Sequence, residues 1–309
     1  MSKAKITVMG SFIVDLMARA SHLPVTGETV KGSEFKIGPG GKGSNQGVAA
    51  QRLGSDVTMI TKIGNDFFGH EVALKSFENE GMDTSFVFKD EDRSTGTALI
   101  MVDENTSENK IVVTLGACDN ITEDEIEKAR KSIENSTVFL TQLETNMESV
   151  EKAVDIAHQK RVNIILNPAP AREVSGEILK KVNILTPNEV EASILSGVQI
   201  NTVEDAKKAA YVLMDKGVGN MIITLGSKGA LVVTASTEKF IESRKVHVVD
   251  TTGAGDAYNG GLATALAEGM DIFEAAAFAN AVGALSVTKI GTAPAMPYRE
   301  DLNSFLKTT

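Results

Sequence analysis

The stretch VDTTGAGDAYNG, residues 249–260, sets two acids six positions apart around a run of small residues. The β-branched residues just before Asp250, KVHVV, predict a strand, and from Ala257 onward the apolar residues have helical spacing that stops at Gly269. The glycines therefore lie at a predicted strand-to-helix turn, where unpaired backbone N–H groups favour an anion. This turn predicts an anion site at the start of the helix.

Asp256 falls in the first turn of that predicted helix, beside the anion site. A carboxylate there is placed to take a proton from a hydroxyl group that attacks a phosphate. Asp256 is equally suited to be a plain N-terminal helix acid, with the glycines only making a turn. This stretch alone leaves both interpretations open.

On either side of this stretch, short β-branched runs alternate with helical patterns through most of the chain. In the segment 205–216, for example, three alanines and Leu213 share one helical face. The predicted strands are ITVMG (6–10), VTMIT (57–61), VFLT (138–141), NIILN (163–167), NILT (183–186), MIITLG (221–226) and ALVVT (230–234). This alternation predicts an α/β fold, with a central, mostly parallel sheet and helices on both faces.

Two regions lack intervening helices and break the alternation. Residues 28–37 form one extended segment, and residues 97–116 form a hairpin around a polar turn. We expect one large domain over residues 1–309, with a small discontinuous β-sheet lid from about residues 15–38 and 95–116. We expect this lid to cover the ligand crevice and its edge to pair with a second subunit in a homodimer.

Composition narrows the possible partners. The chain has 309 residues, 42% apolar content and a formal net charge of −10, which argues against nucleic acid or an anionic membrane as the main partner. Its one cysteine, Cys118, excludes an internal disulfide framework and suits a cytoplasmic location. No segment approaches the roughly 18 apolar residues of a membrane span. The four histidines are scattered without metal-ligand spacing.

A second glycine cluster, GPGGKGSN at residues 38–45, contains GxGxxG but does not complete either of two known fingerprints. The acid expected about 20 residues later in a dinucleotide-binding unit has no clear counterpart, and the cluster does not complete a P-loop. What remains is a glycine turn that leads into a helix with apolar residues facing inward. Lys42 and Asn45 at the start of this helix offer donors to a polar ligand such as a sugar.

These two glycine motifs, in this order and at this distance, resemble the two signatures of the ribokinase-like (pfkB) sugar kinases. Other matching segments are GSFIVD (10–15), GETV (27–30), QLE (142–144), NPAPAR (167–172), TPNE (186–189), TLGSKGA (224–230) and IGTAP (290–294). The resemblance thus runs through the whole chain. NPAPAR together with GGKGSNQ resembles the ribokinases and deoxyribokinases, rather than the fructokinases or adenosine kinases.

The resemblance implies a kinase that transfers the γ-phosphoryl group of ATP, with Mg²⁺, to the 5-hydroxyl of D-ribose or 2-deoxy-D-ribose. Asp256 matches the family's catalytic base, and Gly253, Ala254 and Gly255 match its anion hole. Two other functions stay open, a kinase for another sugar or nucleoside and a non-catalytic sugar-binding regulator. The retained base and glycine turn argue against the regulator.

The same resemblance implies a sugar site formed by Ile13, Asp15, Gly41, Lys42, Gly43, Asn45, Glu144 and Asp256. Ile13 departs from the family pattern, in which Asn is typical, and a hydroxyl facing isoleucine lacks a partner, which favours 2-deoxyribose. Ile13 can instead pack behind the sheet while Glu144 or Asn45 takes over the bond. Without the resemblance, Asp15 reads as a strand-end cap and Glu144 as a solvated acid.

The nucleotide and metal sites also come from the resemblance. The implied nucleotide positions are Asn188, Thr224, Leu225, Gly226, Ser227, Lys228, Gly229, Gly255 and Asn280. The implied potassium ligands are Asp250, Thr252, Ser286, Lys289 and Gly291. Asn188 and Glu191 form the N-x-x-E pattern associated with magnesium and phosphate binding. Such a pair on a helix ordinarily belongs to a face that is only exposed to solvent. Ala295 replaces a common serine ligand, so the potassium shell is expected to have one oxygen fewer.

Overall fold

The computed structural model describes residues 4–106 and 108–308, and their strands form two separate sheets. The thirteen strands within these ranges are β1 (Lys5–Met9), β2 (Ile13–Ala20), β3 (Gly32–Gly40), β4 (Asp56–Gly64), β5 (Asp83–Asp90), β6 (Gly96–Asp103), β7 (Asn109–Thr114), β8 (Val138–Thr141), β9 (Asn163–Leu166), β10 (Ile184–Leu185), β11 (Asn220–Thr224), β12 (Gly229–Val233) and β13 (Glu238–Glu242). The large sheet has the order β13-β12-β11-β10-β9-β8-β1-β4-β5, and the small sheet has the order β3-β2-β6-β7.

Helices cover both faces of the large sheet. They are α1 (Lys42–Arg52), α2 (Lys75–Asn79), α3 (Glu123–Lys128), α4 (Arg130–Asn135), α5 (Met147–Gln159), α6 (Gly176–Leu179), α7 (Glu189–Ser196), α8 (Val203–Asp215), α9 (Ala254–Ala267), α10 (Ile272–Ser286) and α11 (Arg299–Thr308). One buried cluster contains apolar residues of α1, α9 and α10, such as Val48 and Leu262. A second contains those of α3 to α8, such as Leu213, on the opposite face.

The predicted α/β architecture is confirmed. The seven strands predicted between residues 6 and 234 are present with small shifts of their ends, and α8 buries the predicted face with Leu213. The large sheet is parallel except at its β11–β12 and β12–β13 pairs. The carboxyl ends of β1, β8, β9, β10 and β11 therefore meet at one edge, which is where open parallel sheets bind ligands.

The strand predicted over KVHVV, residues 245–249, is wrong. The last strand ends at Glu242, and residues 243–250 form a loop that leads into the turn before α9. A strand needs a neighbour to pair with, and Val248 and Val249 are about half exposed, at 52% and 48%. Instead, the N–H groups of Val249 and Asp250 both donate to the carbonyl oxygen of Val287. The glycine turn therefore follows a loop rather than a strand.

The predicted small sheet is confirmed. Strand β2 pairs antiparallel with β3 and parallel with β6, and β6 forms the predicted hairpin with β7. The division of residues 1–309 into one domain with a moving lid stays a prediction. None of the helices in the described part of the chain combines the length and apolar character needed to cross a membrane.

Candidate active site

Helix α9 begins at a glycine turn that is open toward solvent-filled space. Gly253 precedes the helix with φ +78°, a left-handed conformation that glycine adopts without strain. Beside Gly255, no atom lies within 4 Å of where a side chain would begin. The N–H group of Ala254 donates to the carbonyl oxygen of Thr251 at 3.2 Å, and the other N–H groups of the first helical turn have no intrahelical acceptor. The turn thus offers donors, partial positive charge and room for a phosphoryl group.

Asp256 is the third residue of α9 and is only 8% exposed. Its Oδ2 accepts a hydrogen bond from Asn45 Nδ2 at 3.0 Å, and its Oδ1 accepts one from Gln46 Nε2 at 3.0 Å. Burial raises the pKa of Asp256, while the charge of Lys42 and these two bonds act against the rise. A buried carboxylate with a raised pKa is suited to accept a proton.

Gly41, just before α1, and Gly43, the second residue of α1, bring this helix against the chain that follows β1. A Cβ atom at Gly41 would lie 2.7 Å from the backbone nitrogen of Ile13, and one at Gly43 would lie 2.6 Å from Gly10. Gly41 also has φ +91°. Only glycine permits this close approach. It places Asn45 beside Asp256, which is why the motif needs glycines at these positions.

Glu144 lies within this polar cluster, and the interpretation as a solvated acid is wrong. Glu144 Oε2 accepts from Ser11 Oγ at 2.5 Å and from the backbone N–H of Lys42 at 3.0 Å, so it satisfies the start of α1. Burial opposes the charge of Lys42, but the carboxylates of Asp256, Glu144 and Glu191 raise its pKa overall. Lys42 therefore remains an ammonium group.

Asp15 and Ile13 lie two residues apart on β2, so their side chains share one face of the small sheet. A Cβ atom at Gly40 would lie 2.5 Å from Asp15 Oδ2, so this carboxylate covers Gly40. Burial and the nearby charge of Glu144 raise the pKa of Asp15 to about 6. Ile13 is 3% exposed, and its Cδ1 packs over Gly96.

Two cavities meet at the start of α9. The smaller, of about 180 Å³, is polar and is lined by Lys42, Glu191, Asp256 and the Gly253–Gly255 turn, among others. The larger has about 710 Å³, enough volume for a nucleotide. They share Asn188, Thr224, Thr251, Ala254 and Gly255. A phosphate chain extending from the larger cavity would thus end beside Asp256.

Most of the predicted nucleotide positions line the larger cavity. These are Asn188, Thr224, Gly226, Ser227, Gly229, Gly255 and Asn280. Leu225 is buried in the core instead, and Lys228 belongs to the short turn Gly226–Lys228 beside the cavity. Asn280 Nδ2 donates to the carbonyl oxygen of Ile241 at 2.9 Å, which ties α10 to the end of β13.

Asn188 and Glu191 form a capping box at the start of α7. Asn188 Oδ1 accepts from the N–H of Glu191, and Glu191 Oε2 accepts from the N–H of Asn188, each at 2.9 Å. Both residues also line the small cavity. Burial raises the pKa of Glu191. The N-x-x-E pair therefore has a structural role and also faces the small cavity, so it is not merely a solvated pair on a helix surface.

Asp250 joins two loops below the glycine turn. Its Oδ2 accepts from the N–H of Gly291 at 3.0 Å, and its Oδ1 accepts from the N–H of Thr252 at 2.9 Å. Three of the predicted potassium positions are thus brought together, while Ser286 and Lys289 lie at the end of α10 and just beyond it. Ala295 is buried in the turn Ala293–Ala295. Among the described residues, no group of three or more His, Cys, Asp or Glu side chains could hold a metal ion.

A profile of the pfkB family of carbohydrate kinases matches residues 3–299. The chain belongs to this family. Over 302 residues, this carbohydrate kinase is 41% identical to the ribokinase of Haemophilus influenzae, and the alignment covers 98% of each chain. It is 38% identical to the deoxyribokinase of Salmonella typhi over 302 residues, which is 97% of this chain and 98% of that protein.

The solved structure of Arabidopsis thaliana ribokinase complexed with ribose and ATP superposes with a TM-score of 0.92, at 27% identity and full coverage of both chains. The ribokinase of Thermotoga maritima superposes with a TM-score of 0.89 at 35% identity, and the superposition covers 98% of this chain and 99% of the Thermotoga chain. The resemblance seen in the sequence motifs is confirmed. The protein is a phosphotransferase that acts on an alcohol group.

Four polar residues of this kinase's site were not predicted. Gln46, Asn167, Thr186 and Asn259 are buried and connect Asp256 to the glycine turn by hydrogen bonds. Each of them stands inside a motif quoted above, namely GGKGSNQ, NPAPAR, TPNE or GDAYNG. These residues could have been found as amide or hydroxyl side chains in segments that are otherwise predicted to be buried, because a buried polar group requires a hydrogen-bond partner.

Proposed function

We propose that this kinase transfers the γ-phosphoryl group of MgATP to the 5-hydroxyl of D-ribose or 2-deoxy-D-ribose. The observation that carries this proposal is the buried Asp256 carboxylate at the N-terminus of α9, where the small polar cavity meets the nucleotide-sized one. The relatives at 38–41% identity support a pentose as acceptor, since they include both a ribokinase and a deoxyribokinase. The structural relative that binds ribose and ATP supports ATP as donor.

The residues present fit these ligands. Asn45 Oδ1 is buried without a hydrogen-bond partner, so it can accept a hydrogen bond from a hydroxyl group of the sugar. Asn188 and Glu191 are oxygen-bearing side chains beside the small cavity and would hold magnesium, directly or through water. When bound, MgATP supplies the phosphoryl group with much of its charge neutralised.

The chain's own residues then provide positioning and proton transfer. Asp256 takes the proton from the sugar hydroxyl as that oxygen forms its bond to phosphorus. The N–H groups of the Gly253–Gly255 turn stabilise the negative charge on the phosphoryl oxygens. Lys42 lines the same cavity and adds an ammonium charge to it. Catalysis here depends on placement and electrostatics more than on covalent chemistry.

A coupled assay of ADP release tests this function. Ribose, 2-deoxyribose, fructose and adenosine are offered separately with MgATP, and the product is identified by its ³¹P–¹H coupling. We expect turnover with a pentose and a phosphate on carbon 5. Turnover only with another sugar or nucleoside would reassign the substrate, and sugar binding without ADP release would indicate a non-catalytic regulator.

We further propose that 2-deoxyribose is at least as good a substrate as ribose. Ile13 shares its strand face with Asp15 and has no donor or acceptor for a hydroxyl. A hydroxyl desolvated against it would lose about 1–3 kcal/mol. An apolar pocket rejects an added hydroxyl by only roughly a hundredfold. Ribose therefore remains a substrate in this proposal.

Potassium is proposed as an activator that orders the glycine turn. Asp250 is bonded to the N–H groups of both Thr252 and Gly291, so an ion bound here would stiffen the loop that presents Asp256. Turnover is compared in potassium, in sodium and in a bulky organic cation at one ionic strength. We expect the highest rate in potassium, and equal rates in all three salts would exclude this role.

A homodimer formed through the small sheet is also proposed, since one face of that sheet is apolar and exposed. Its exposed side chains are Phe35, Ile37, Leu99, Met101 and Val112, at 36–62%. The strand registers place them on the same face, because Leu16 pairs with both Ile37 and Leu99, and Leu99 pairs with Val112. Contiguous apolar patches of this kind mark interfaces.

A cytoplasmic location stays a prediction and fits the free, buried Cys118.

A further inference from the structure

Gln46 is fully buried and faces the proposed base from α1. Its Nε2 donates to Asp256 Oδ1 and to Asn167 Oδ1, each at 3.0 Å. Its Oε1 accepts from Gln142 Nε2 at 2.6 Å. Turning the amide over would set its oxygen against two acceptor oxygens and its NH₂ group against a donor. The orientation of Gln46 is therefore determined at both ends.

The hydrogen bonds continue from Asn167 to the other part of the site. Asn167 Nδ2 donates to the carbonyl oxygen of Thr186 at 2.9 Å, and Thr186 Oγ1 donates to Asn259 Oδ1 at 2.6 Å. Asn259 Nδ2 then donates to the carbonyl oxygen of Gly255 at 2.8 Å. The proposed base and the glycine turn are thus held by one chain of buried bonds, whose side chains are at most 8% exposed.

Close packing of two helices keeps this chain in place. A Cβ atom at Gly260 would lie 2.6 Å both from the Cβ atom of Ala49 and from the carbonyl oxygen of Gln46. Helix α9 therefore approaches α1 as closely as a backbone without a side chain allows. The donor on α1 and the acceptor on α9 are consequently fixed relative to each other.

We propose that Gln46 is a positioning residue, which holds the Asp256 carboxylate in its reactive orientation through this buried amide chain. The proposal rests on the proposed kinase function and adds to it a residue that lies outside the lining of both cavities. Gln142 serves the same purpose one step further away, because it fixes the amide of Gln46.

Several charged groups also face Asp256 and have to be separated from this effect. They are Lys42 of α1, Glu144 after β8 and Glu191 of α7. Substituting Gln46 leaves all three in place. Because an amide N–H stabilises the ionised carboxylate, its loss raises the pKa of Asp256. The acid limb of the pH–rate profile then moves to higher pH, since the base acts in its ionised form.

The test is Gln46→Met, which keeps the length of the side chain and removes the amide. We expect kcat to fall about tenfold to a hundredfold and the acid limb to move up by about one pH unit, the effect of one hydrogen bond to a charged group. KM for the sugar should change by less than about threefold, since Gln46 is fully buried and lines neither cavity. A kcat within about threefold of the wild type, with the acid limb unmoved, would overturn the proposal.

A matched control removes a buried hydrogen bond between the same two regions of the chain. Ser55, just after α1, donates through its Oγ to Thr264 Oγ1 of α9 at 3.1 Å, away from both cavities. Thr264→Val should lower Tm and leave the acid limb where it is. If it shifts the limb as far as Gln46→Met does, the effect is general loosening and the proposal fails.

Two further measurements keep the test decisive. Should Gln46→Met give too little folded protein, Gln142→Met is used, with a smaller shift of the acid limb expected in the same direction, and an unmoved limb would again contradict the proposal. An NMR titration of the Asp256 carboxyl carbon, assigned with Asp256→Asn, needs no substrate. A wild type that phosphorylates no pentose would refute the proposed function, whereas an Asp256 pKa unchanged by Gln46→Met would refute only this inference.

Discussion

The two sheets of this kinase use similar residues in opposite environments. Strand β8, VFLT, is buried at all four positions, whereas β7, NKIVVT, is exposed at all six. Strand β8 is covered because helices follow and precede the strands of the large sheet, while no helix lies in the hairpin that contains β7. Composition alone predicts a strand in both cases. What differs is whether helices in the neighbouring chain segments cover the strand, and this leaves β8 in the core and β7 on the surface.

Strand β2 belongs to both environments, because its two faces have different contacts. Ile13 and Asp15 are on the face proposed to bind the sugar, and Leu16 is on the opposite face, beside the exposed apolar residues of β3 and β6. Sugar recognition and subunit association are therefore expected to meet on one strand, whereas the proposed proton transfer involves α1 and α9. The predictions below test this division.

The largest effect is expected at Asp256, in the first turn of α9. Asp256→Asn keeps the shape and accepts no proton, so kcat should fall by roughly 10²–10⁴. Nucleotide binding, measured by calorimetry, should be nearly unchanged. A variant with more than about a tenth of the wild-type kcat would end the assignment of Asp256 as base.

The next effect concerns the exposed face of the small sheet. The double substitution Phe35→Lys and Leu99→Lys should weaken a dimer by about a hundredfold or more. Association would then bury two ammonium groups in the interface and remove their water. Sedimentation velocity over a concentration series measures the change. Ile194→Lys is the control, since Ile194 is 60% exposed on α7, outside the small sheet. A monomeric wild type at micromolar concentration would contradict the dimer.

A smaller effect is expected on the sugar face of β2. Ile13→Asn should move the ratio of kcat/KM values toward ribose by about tenfold, which corresponds to one neutral hydrogen bond. The ratio is measured with ribose and 2-deoxyribose in both proteins. Strong ribose preference in the wild type, unaltered by the substitution, would show that residue 13 does not determine the choice between the two sugars.

The smallest effect is a pH dependence of sugar binding. The pKa of Asp15, raised to about 6 by burial and by Glu144, means that its carboxylate gains a proton as the pH falls through this value. The protonated form accepts weaker bonds from sugar hydroxyls, so KM should rise roughly fourfold between pH 7 and pH 5.5. Steady-state KM values at constant ionic strength test this. Asp15→Asn should abolish the pH dependence while raising KM throughout.

The sequence was sufficient for the α/β fold, the small sheet and the position of Asp256, because periodicity and glycine motifs are local signals. The strand predicted over residues 245–249 failed because β-branched residues also occur in a loop that lines a cavity. The bonds of Gln46 to Asp256 and Asn167 span 210 and 121 residues, and no local pattern reports such distances. The same holds for the exposed face around Leu99, which only the three-dimensional arrangement reveals.

The close approach of α9 to α1 at Gly260 has a consequence for how this enzyme can change its substrate. A side chain at residue 260 would collide with Ala49 and with the backbone of Gln46, so this helix pair tolerates little variation. A mutant library directed at new sugar acceptors should therefore leave α1 and α9 intact and diversify β2 around Ile13. Variation there can alter which hydroxyl groups are admitted while proton transfer and phosphoryl stabilisation are inherited unchanged.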